Sequence, residues 1–416
     1  MTTRNLLVYQ SGAPTAVVNT TLHGIVAEAV SAGFNRVIGS RYGVQGILNG
    51  DELDLTRWSS ERREEFEMLY HTPGAFLGTT RYRVETEEEF DTIFRRLDEW
   101  GVNHIVPIGG NGTAGFTHRL YEAAKARGRE LYIVVASKTM DNDIIGAYWT
   151  PGAPTAAWEL ATIVRMVALD AKSMSPRKEV AVIESLGRDS GWTAGAVSLL
   201  YEDDLRPLIY LPERPIAQQQ VVEHTVRNLE RDGYAVVVLS ESLKDPTGEL
   251  YAKRDSAVNG HGNGSVGSVF RRIFDEMGLK VREVVPGTLL RADVRYATLL
   301  DRQAAELVGR QAVRAVERGK TGIMIVPKNP DYGMHPNDIL VQSSDGLLTY
   351  SIGTNVNPVG IIGSELRKFP DQWINEDSNS ITEEGLAYYR LVVGRLGGYA
   401  RLPELKSLSL ALAATG

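Results

Sequence analysis

Short apolar runs that stop abruptly at a small-residue turn recur along this chain, and most hand over to a helical pattern. Leu6-Leu7-Val8-Tyr9 leads into Gln10-Ser11-Gly12-Ala13-Pro14-Thr15, after which a helical pattern runs from about Val17 to Ala32. Ile105-Val106-Pro107-Ile108 leads into Gly109-Gly110-Asn111-Gly112-Thr113, with a helix predicted from about Ala114 to Arg127. Val180-Ala181-Val182-Ile183 meets Glu184-Ser185-Leu186-Gly187-Arg188, and Ala235-Val236-Val237-Val238-Leu239 meets Ser240-Glu241. Leu131-Tyr132-Ile133-Val134-Val135-Ala136 has the length and β-branched content of a buried strand. Strands alternating with helices predict parallel βαβ units and a doubly wound α/β architecture. No short-period repeat interrupts the pattern, which excludes a solenoid. Asn329 to Gly346, rich in Pro, Asn, Asp and Gly, reads as a long loop or small excursion.

The chemistry concentrates just after the 131–136 run, in Ser137-Lys138-Thr139-Met140-Asp141-Asn142-Asp143-Ile144. Open α/β sheets place ligands beyond the carboxyl ends of their strands. Two carboxylates there, beside a lysine and a threonine, suit phosphoryl transfer: one takes a proton from an attacking hydroxyl and one meets a metal. The lysine holds phosphate charge. Taken alone, Asp-Asn-Asp is equally an ordinary turn. The two glycine turns shift the balance, because a backbone without Cβ atoms can approach phosphate oxygens at the N-terminus of a following helix. Neither turn matches a P-loop or a dinucleotide fingerprint.

Composition narrows the class. The 416 residues allow roughly two to three domains. A net charge of -7 without any Lys/Arg run argues against a nucleic-acid surface. Zero cysteines exclude disulfides, thiolate metal sites and a cysteine nucleophile. No signal-peptide layout and no apolar stretch of membrane-spanning length is present, so the expectation is a cytoplasmic protein with no membrane partner. Guanidinium groups bind phosphate bidentately, which makes Arg81 and Arg83, after Gly78-Thr79-Thr80, and Arg188, Arg282 and Arg291 candidates. The seven histidines lack ligand spacing; only His261, within Asn259-Gly260-His261-Gly262-Asn263-Gly264, stays open. The acidic run Glu85 to Asp91 reads as the solvated start of a helix.

With these motifs in order, the chain resembles the phosphofructokinase family, and within it the bacterial diphosphate-dependent branch. Gln10 to Asn19 resembles the family's first phosphate loop, and Gly74 to Arg81 its Gly-rich arginine loop. Gly109 to Thr113 corresponds to the donor loop and Lys138 to Asp143 to the catalytic loop. Glu184 to Trp192 is similar to the Met-Gly-Arg segment, with Leu186 in place of methionine. Pro286 to Arg291 matches the sugar-phosphate arginine motif, Asp301 to Met324 the helix after it, and Trp373-Ile374-Asn375 fits that branch. The resemblance implies two lobes, each a mostly parallel sheet flanked by helices. The donor lobe would span 1–153 plus about 289–345, and the sugar-phosphate lobe 154–288 plus about 346–416. It implies Asp141 as base on a sugar 1-hydroxyl, Thr139 and Asp143 orienting sugar and metal, and Arg188 stabilising the moving charge. Gly12, Ala13, Arg81, Arg83, Gly110, Asn111, Gly112, Thr113 and Lys138 would meet the donor. Leu186, Gly187, Glu241, Arg282 and Arg291, with Thr139, Asp141 and Arg188, would meet the sugar phosphate. Asn111 and Asp143 would hold Mg2+. A homodimer or homotetramer is implied.

The departures from the pattern cluster around the ligands. Diphosphate users carry Asp where this chain has Gly112; glycine reopens space for a nucleotide α-phosphate. Lys138 is the residue of diphosphate users. The steric argument tips the sequence reading toward ATP, with diphosphate kept open. Ala13 replaces a glycine, Ser137 a proline, Leu290 a glutamine, Ala292 a glycine or cysteine, and Asp189-Ser190 the usual Asn-Ala pair. Three readings therefore stand: transfer from ATP or diphosphate to fructose 6-phosphate or a related ketohexose 6-phosphate; a divergent acceptor or diphosphoryl transfer; and a weakly active binding or regulatory homologue. Retention of Thr139, Asp141, Asp143, Arg188, Glu241, Arg282 and Arg291 favours an enzyme.

Overall fold

A computed structural model of the protein describes residues 4–253, 264–328, 339–342, 349–352, 354–362 and 364–398. The first sheet is built from β1 (Asn5–Gln10), β2 (Arg36–Ser40), β3 (Glu52–Asp54), β4 (Val102–Gly109) and β5 (Tyr132–Ser137), with β10 (Ile323–Pro327) and β13 (Thr354–Pro358) returning later. Its order is β13-β10-β5-β4-β1-β2-β3. Pairing is parallel except at the two edges, where β3 runs against β2 and β13 against β10. The second sheet is wholly parallel, in the order β7 (Leu208–Tyr210), β8 (Tyr234–Ser240), β6 (Glu179–Ser185), β9 (Lys280–Val284).

Both sheets are covered on both faces, which is why their inner strands read as continuous apolar runs. All six residues of β1 are buried. One face of the first sheet packs Leu6, Val8, Val106 and Val134 against the helices Val18–Ser31 and Leu299–Glu317. Its other face packs Leu7, Ile105 and Ile133 against Phe90, Phe94 and Leu120 from the helices Glu87–Glu99 and Asn111–Ala126. The second sheet lies between the long helix Ala153–Ser173, joined by C-terminal Phe369 and Tyr389, and the helices Gln218–Asp232 and Val266–Glu276. The acidic run 85–91 does open a helix, with Thr86 and Glu89 forming a capping box.

The helix Ala153–Ser173 begins directly after Gly152. There the buried Asp301, at the start of the helix Leu299–Glu317, accepts from Gly152 N at 2.8 Å, Thr155 N at 3.2 Å and Thr155 Oγ1 at 2.5 Å. One carboxylate thus caps the N-terminus of the helix Ala153–Ser173 and supplies partners its first turn lacks. One expectation needs correction. The boundary near 346 falls too early, because β13, residues 354–358, still pairs with β10 in the first sheet. The stretch 329–346 is described only at 339–342, where it forms β11 (Ile339–Gln342), antiparallel to β12 (Thr349–Ile352). His261 lies outside the described residues.

Candidate active site

The order β1-β4-β5 puts three predicted loops side by side, since parallel neighbours end at the same edge. Ser11 N donates to Ile108 O at 2.9 Å and Lys138 N to Gly109 O at 2.9 Å, stitching the strand ends together. The helix expected from Ala114 begins at Asn111 instead. Asn111, Gly112 and Thr113 are therefore a first helical turn, uncapped by any side chain, with free N–H groups suited to an anion. Space at Gly110 is tight: a Cβ there would lie 3.2 Å from Lys138 O. A Cβ at Gly112 meets nothing within 4 Å, so that position opens onto unfilled space.

Lys138 is buried beneath the first loop. Its Nζ donates to Ser11 O and Ala13 O, each at 2.7 Å, and leaves room only for a glycine at position 12, which has φ +79°. Burial pulls Lys138 down to about 8; Asp141 opposes this, and Arg188, Arg291 and Arg81 reinforce it. Three arginines distant in sequence thus face one lysine. Arg81 arrives because Thr79 Oγ1 donates to Gly12 O at 2.6 Å and Gly12 N to Thr80 O at 3.3 Å. Arg83 is exposed, and no described contact ties it to the cluster.

Asp141 is pushed up to about 6, first by burial and then by Asp143, against the pull of Arg188. Its backbone N–H donates to Thr139 Oγ1 at 3.1 Å. Asp143 is also raised, chiefly by burial, and lies within hydrogen-bonding reach of the Asn111 side chain. Asp143 Oδ1 and Asn111 Oδ1 are both buried without a hydrogen-bond partner. Two orphaned oxygens are the donor chemistry a hard cation takes. Among the described residues no group of three or more His, Asp or Glu could hold a metal by itself.

The second lobe contributes from adjacent ends of β6 and β8. Glu241 N donates to Ser185 O at 2.9 Å, and Glu241 Oε1 accepts from Gly187 N at 3.0 Å and Arg188 N at 2.7 Å. That grip holds Arg188 at φ +49°, a left-handed conformation that costs a non-glycine residue about 1–3 kcal/mol. Ser242 Oγ bonds Arg188 O from beneath. The guanidinium, 66% exposed, sits 3.5 Å from Asp141 Oδ2. Leu186 is partly buried and packs its side chain against the core of the second sheet. Arg291 has a buried, unpartnered Nε. Arg282 is not brought to the cluster: it pairs with Asp170 at 2.6 Å and Glu179 at 3.0 Å, toward the opposite end of the sheet. Sequence patterns alone do not reveal such pairing.

Three contributors escaped the sequence reading. Arg367 N donates to Asp143 O at 2.8 Å, and its guanidinium stacks 3.7 Å above the Trp192 ring. Lys368 Nζ donates to Asp189 O at 2.6 Å and acts on Asp143. Glu213 accepts from Gly191 N at 3.0 Å and Phe369 N at 2.9 Å, fastening this segment to the Arg188 turn. These contacts are long-range in sequence, and no local pattern marks them.

Comparison with known proteins gives the family. The sequence model of the family described as phosphofructokinase matches residues 5–316. The chain is 30% identical over 400 residues to a pyrophosphate–fructose 6-phosphate 1-phosphotransferase of Xanthomonas campestris pv. campestris, covering 94% of this chain and 91% of that one. It is 27% identical to a sulfofructose kinase of Alkalicoccus urumqiensis, covering 88% and 91%. The fold matches a pyrophosphate-dependent phosphofructokinase from Nitrosospira multiformis with a TM-score of 0.80 at 23% identity, covering 96% and 94%. The chain belongs to the phosphofructokinase family and is a phosphotransferase of that type.

Proposed function

We propose that the protein moves a phosphoryl group from diphosphate to the 1-hydroxyl of fructose 6-phosphate. The observation that carries this is the convergence of Asp141 with Lys138, Arg81, Arg188 and Arg291 at one cleft. Asp141 takes the hydroxyl proton as that oxygen attacks phosphorus. The bond from phosphorus to the donor's bridging oxygen breaks, and its electron pair leaves with orthophosphate. Positioning and charge stabilisation do most of the work in such a reaction. Lys138 and Arg81 hold donor phosphates, Arg188 meets the charge in transit, and Arg291 binds the distal phosphate of the sugar. Asp143 and Asn111 would hold Mg2+, which when bound offsets the phosphate charge.

Diphosphate is preferred to the nucleotide favoured by sequence because of the likeness to diphosphate-dependent proteins and the placing of Lys138 under the first loop. A nucleotide donor is the second reading, supported by the open space at Gly112. Phosphorylated sugars are retained in cells by their charge, so we place the reaction in the cytoplasm. We also retain a homodimer or homotetramer, since within one chain Arg282 is turned away and the apolar Val285, Leu289 and Val294 are exposed.

The test is a matrix of diphosphate and ATP against fructose 6-phosphate and 6-deoxy-6-sulfofructose, read by phosphorus NMR. Diphosphate with fructose 6-phosphate should give orthophosphate and a sugar bisphosphate. Turnover with ATP alone hands the donor to the second reading. Turnover only with the sulfonate replaces the acceptor.

A further inference from the structure

The loop that carries Arg291 is fastened to the second lobe by a buried acid pair that the proposed reaction does not use. Residues 291–298 link the short helical turn Gly287–Leu290 to the helix Leu299–Glu317. Asp293, two residues after Arg291, is 8% exposed, and Glu159, on the helix Ala153–Ser173, is 2% exposed. Arg295 donates from Nε to Asp293 Oδ1 at 3.2 Å and from a terminal nitrogen to Glu159 Oε1. Glu159 Oε2 and Asp293 Oδ2 are left over, both buried and without a hydrogen-bond partner. The two carboxyl groups nevertheless lie within hydrogen-bonding reach of each other. Two ionised carboxylates have no proton to donate, whereas a carboxyl and a carboxylate can share one. A single proton satisfies both leftover oxygens and leaves one anion against the Arg295 cation. The next charged groups along this contact are Asp301, bonded to Gly152 and Thr155 one turn back, and Arg302 beyond it. Tyr296 packs at a tilt against Trp158, 4.4 Å between ring centres, and completes the seam.

We propose that Glu159 is a positioning residue: the proton it shares with Asp293 latches residues 291–298 and so sets Arg291 in the cleft, making acceptor binding depend on pH. The inference rests on the assignment of Arg291 to the distal phosphate of the acceptor. Burial, then Asp293, push Glu159 up to about 7. An acid raised in the latched state holds its proton more tightly there than when the loop is free. The latch is therefore favoured at low pH and loses that advantage as pH climbs to about 7 and beyond.

The experiment measures fructose 6-phosphate affinity by calorimetry and its KM by kinetics, from pH 6 to 8.5. The set is the full-length wild type, Glu159→Gln, Asp293→Asn, Glu159→Ala and Arg291→Ala. Wild-type affinity should weaken severalfold with rising pH while kcat changes less. Each amide variant supplies a permanent donor in place of the shared proton, so each should keep the low-pH affinity and lose the pH dependence. Glu159→Ala should bind weakly at every pH. Amide variants that follow the wild-type profile overturn the latch. If Arg291→Ala binds fructose 6-phosphate normally, the acceptor assignment fails and the latch with it. If Arg291→Ala binds weakly while the Glu159 variants match wild type, only the latch fails.

Discussion

As the proposed base, Asp141 would have to be basic enough to take a proton yet ionised when substrate arrives, and its surroundings set that compromise. Burial and Asp143 raise it to about 6, while Arg188 at 3.5 Å restrains the rise. A base at this value is ionised at neutral pH and still accepts a proton in the transition state better than an ordinary aspartate. Asp141→Asn keeps the shape and removes the base, so kcat should fall by about 10² to 10⁴-fold with little change in either KM. Steady-state kinetics check this, and turnover near wild type would remove Asp141 from the role. Asp143→Asn acts on the same group indirectly. It deletes a charge that raises Asp141, so whatever activity survives should show its acid limb at lower pH than wild type. An unmoved limb would mean that burial alone sets the value.

At the scale of elements, glycines decide how closely helices and loops can approach, and the same substitution should have opposite signs at two of them. The helices Val18–Ser31 and Leu299–Glu317 touch backbone to backbone. A Cβ on Gly24 would stand 2.5 Å from Glu306 O, and one on Gly309 would stand 2.4 Å from Thr21 O. Neither neighbour is a flexible side chain, so Gly309→Ala should cost about 1–3 kcal/mol by forcing the helices apart. Gly112→Ala is the counter-case, in a first helical turn with nothing within 4 Å. It should be neutral or stabilise by up to about 1 kcal/mol. Urea midpoints for the two variants test this pair, and a stable Gly309→Ala protein would refute the close-packing account. Legibility from sequence follows the same division. The central strands were visible because both faces are buried, which turns them into uninterrupted apolar runs. The edge strands β3 and β9 were not, because β3 is only half-buried and β9 exposes Lys280 and Arg282. The loops holding Lys138, Asp141 and Gly187 could be read because glycine and aspartate punctuate strand ends. The family resemblance places Arg282 with the sugar phosphate, yet its side chain runs to Asp170 and Glu179. Lys368 and Glu213 join through contacts that no local pattern announces.

For the whole molecule, the consequence is a protein of net charge -7 that gathers four cations, Lys138, Arg81, Arg188 and Arg291, at the place where the proposed reaction would receive anionic substrates. Low-dielectric walls keep those charges effective at short range although the overall charge is unfavourable. The cost of gathering them appears on Lys138, which burial and the neighbouring arginines pull down to about 8. Two groups of the free protein therefore titrate on either side of neutrality, and they work in opposite protonation states. Asp141 serves as base only after losing its proton, so kcat/KM should rise as pH increases through about 6. In its proposed role Lys138 would hold phosphate only while it keeps its proton, so kcat/KM should fall as pH increases through about 8. The expected profile is a bell with its maximum near pH 7, measured at donor concentrations well below KM so that the free protein is reported. Lys138→Arg should move the alkaline limb upward without shifting the acid one, because a guanidinium stays protonated throughout this range. A profile flat from pH 7 to 9.5 in wild type would show that the charge on Lys138 does not matter for donor capture. A shift of the acid limb in Lys138→Arg as large as that of the alkaline limb would show that the two groups titrate as one coupled unit.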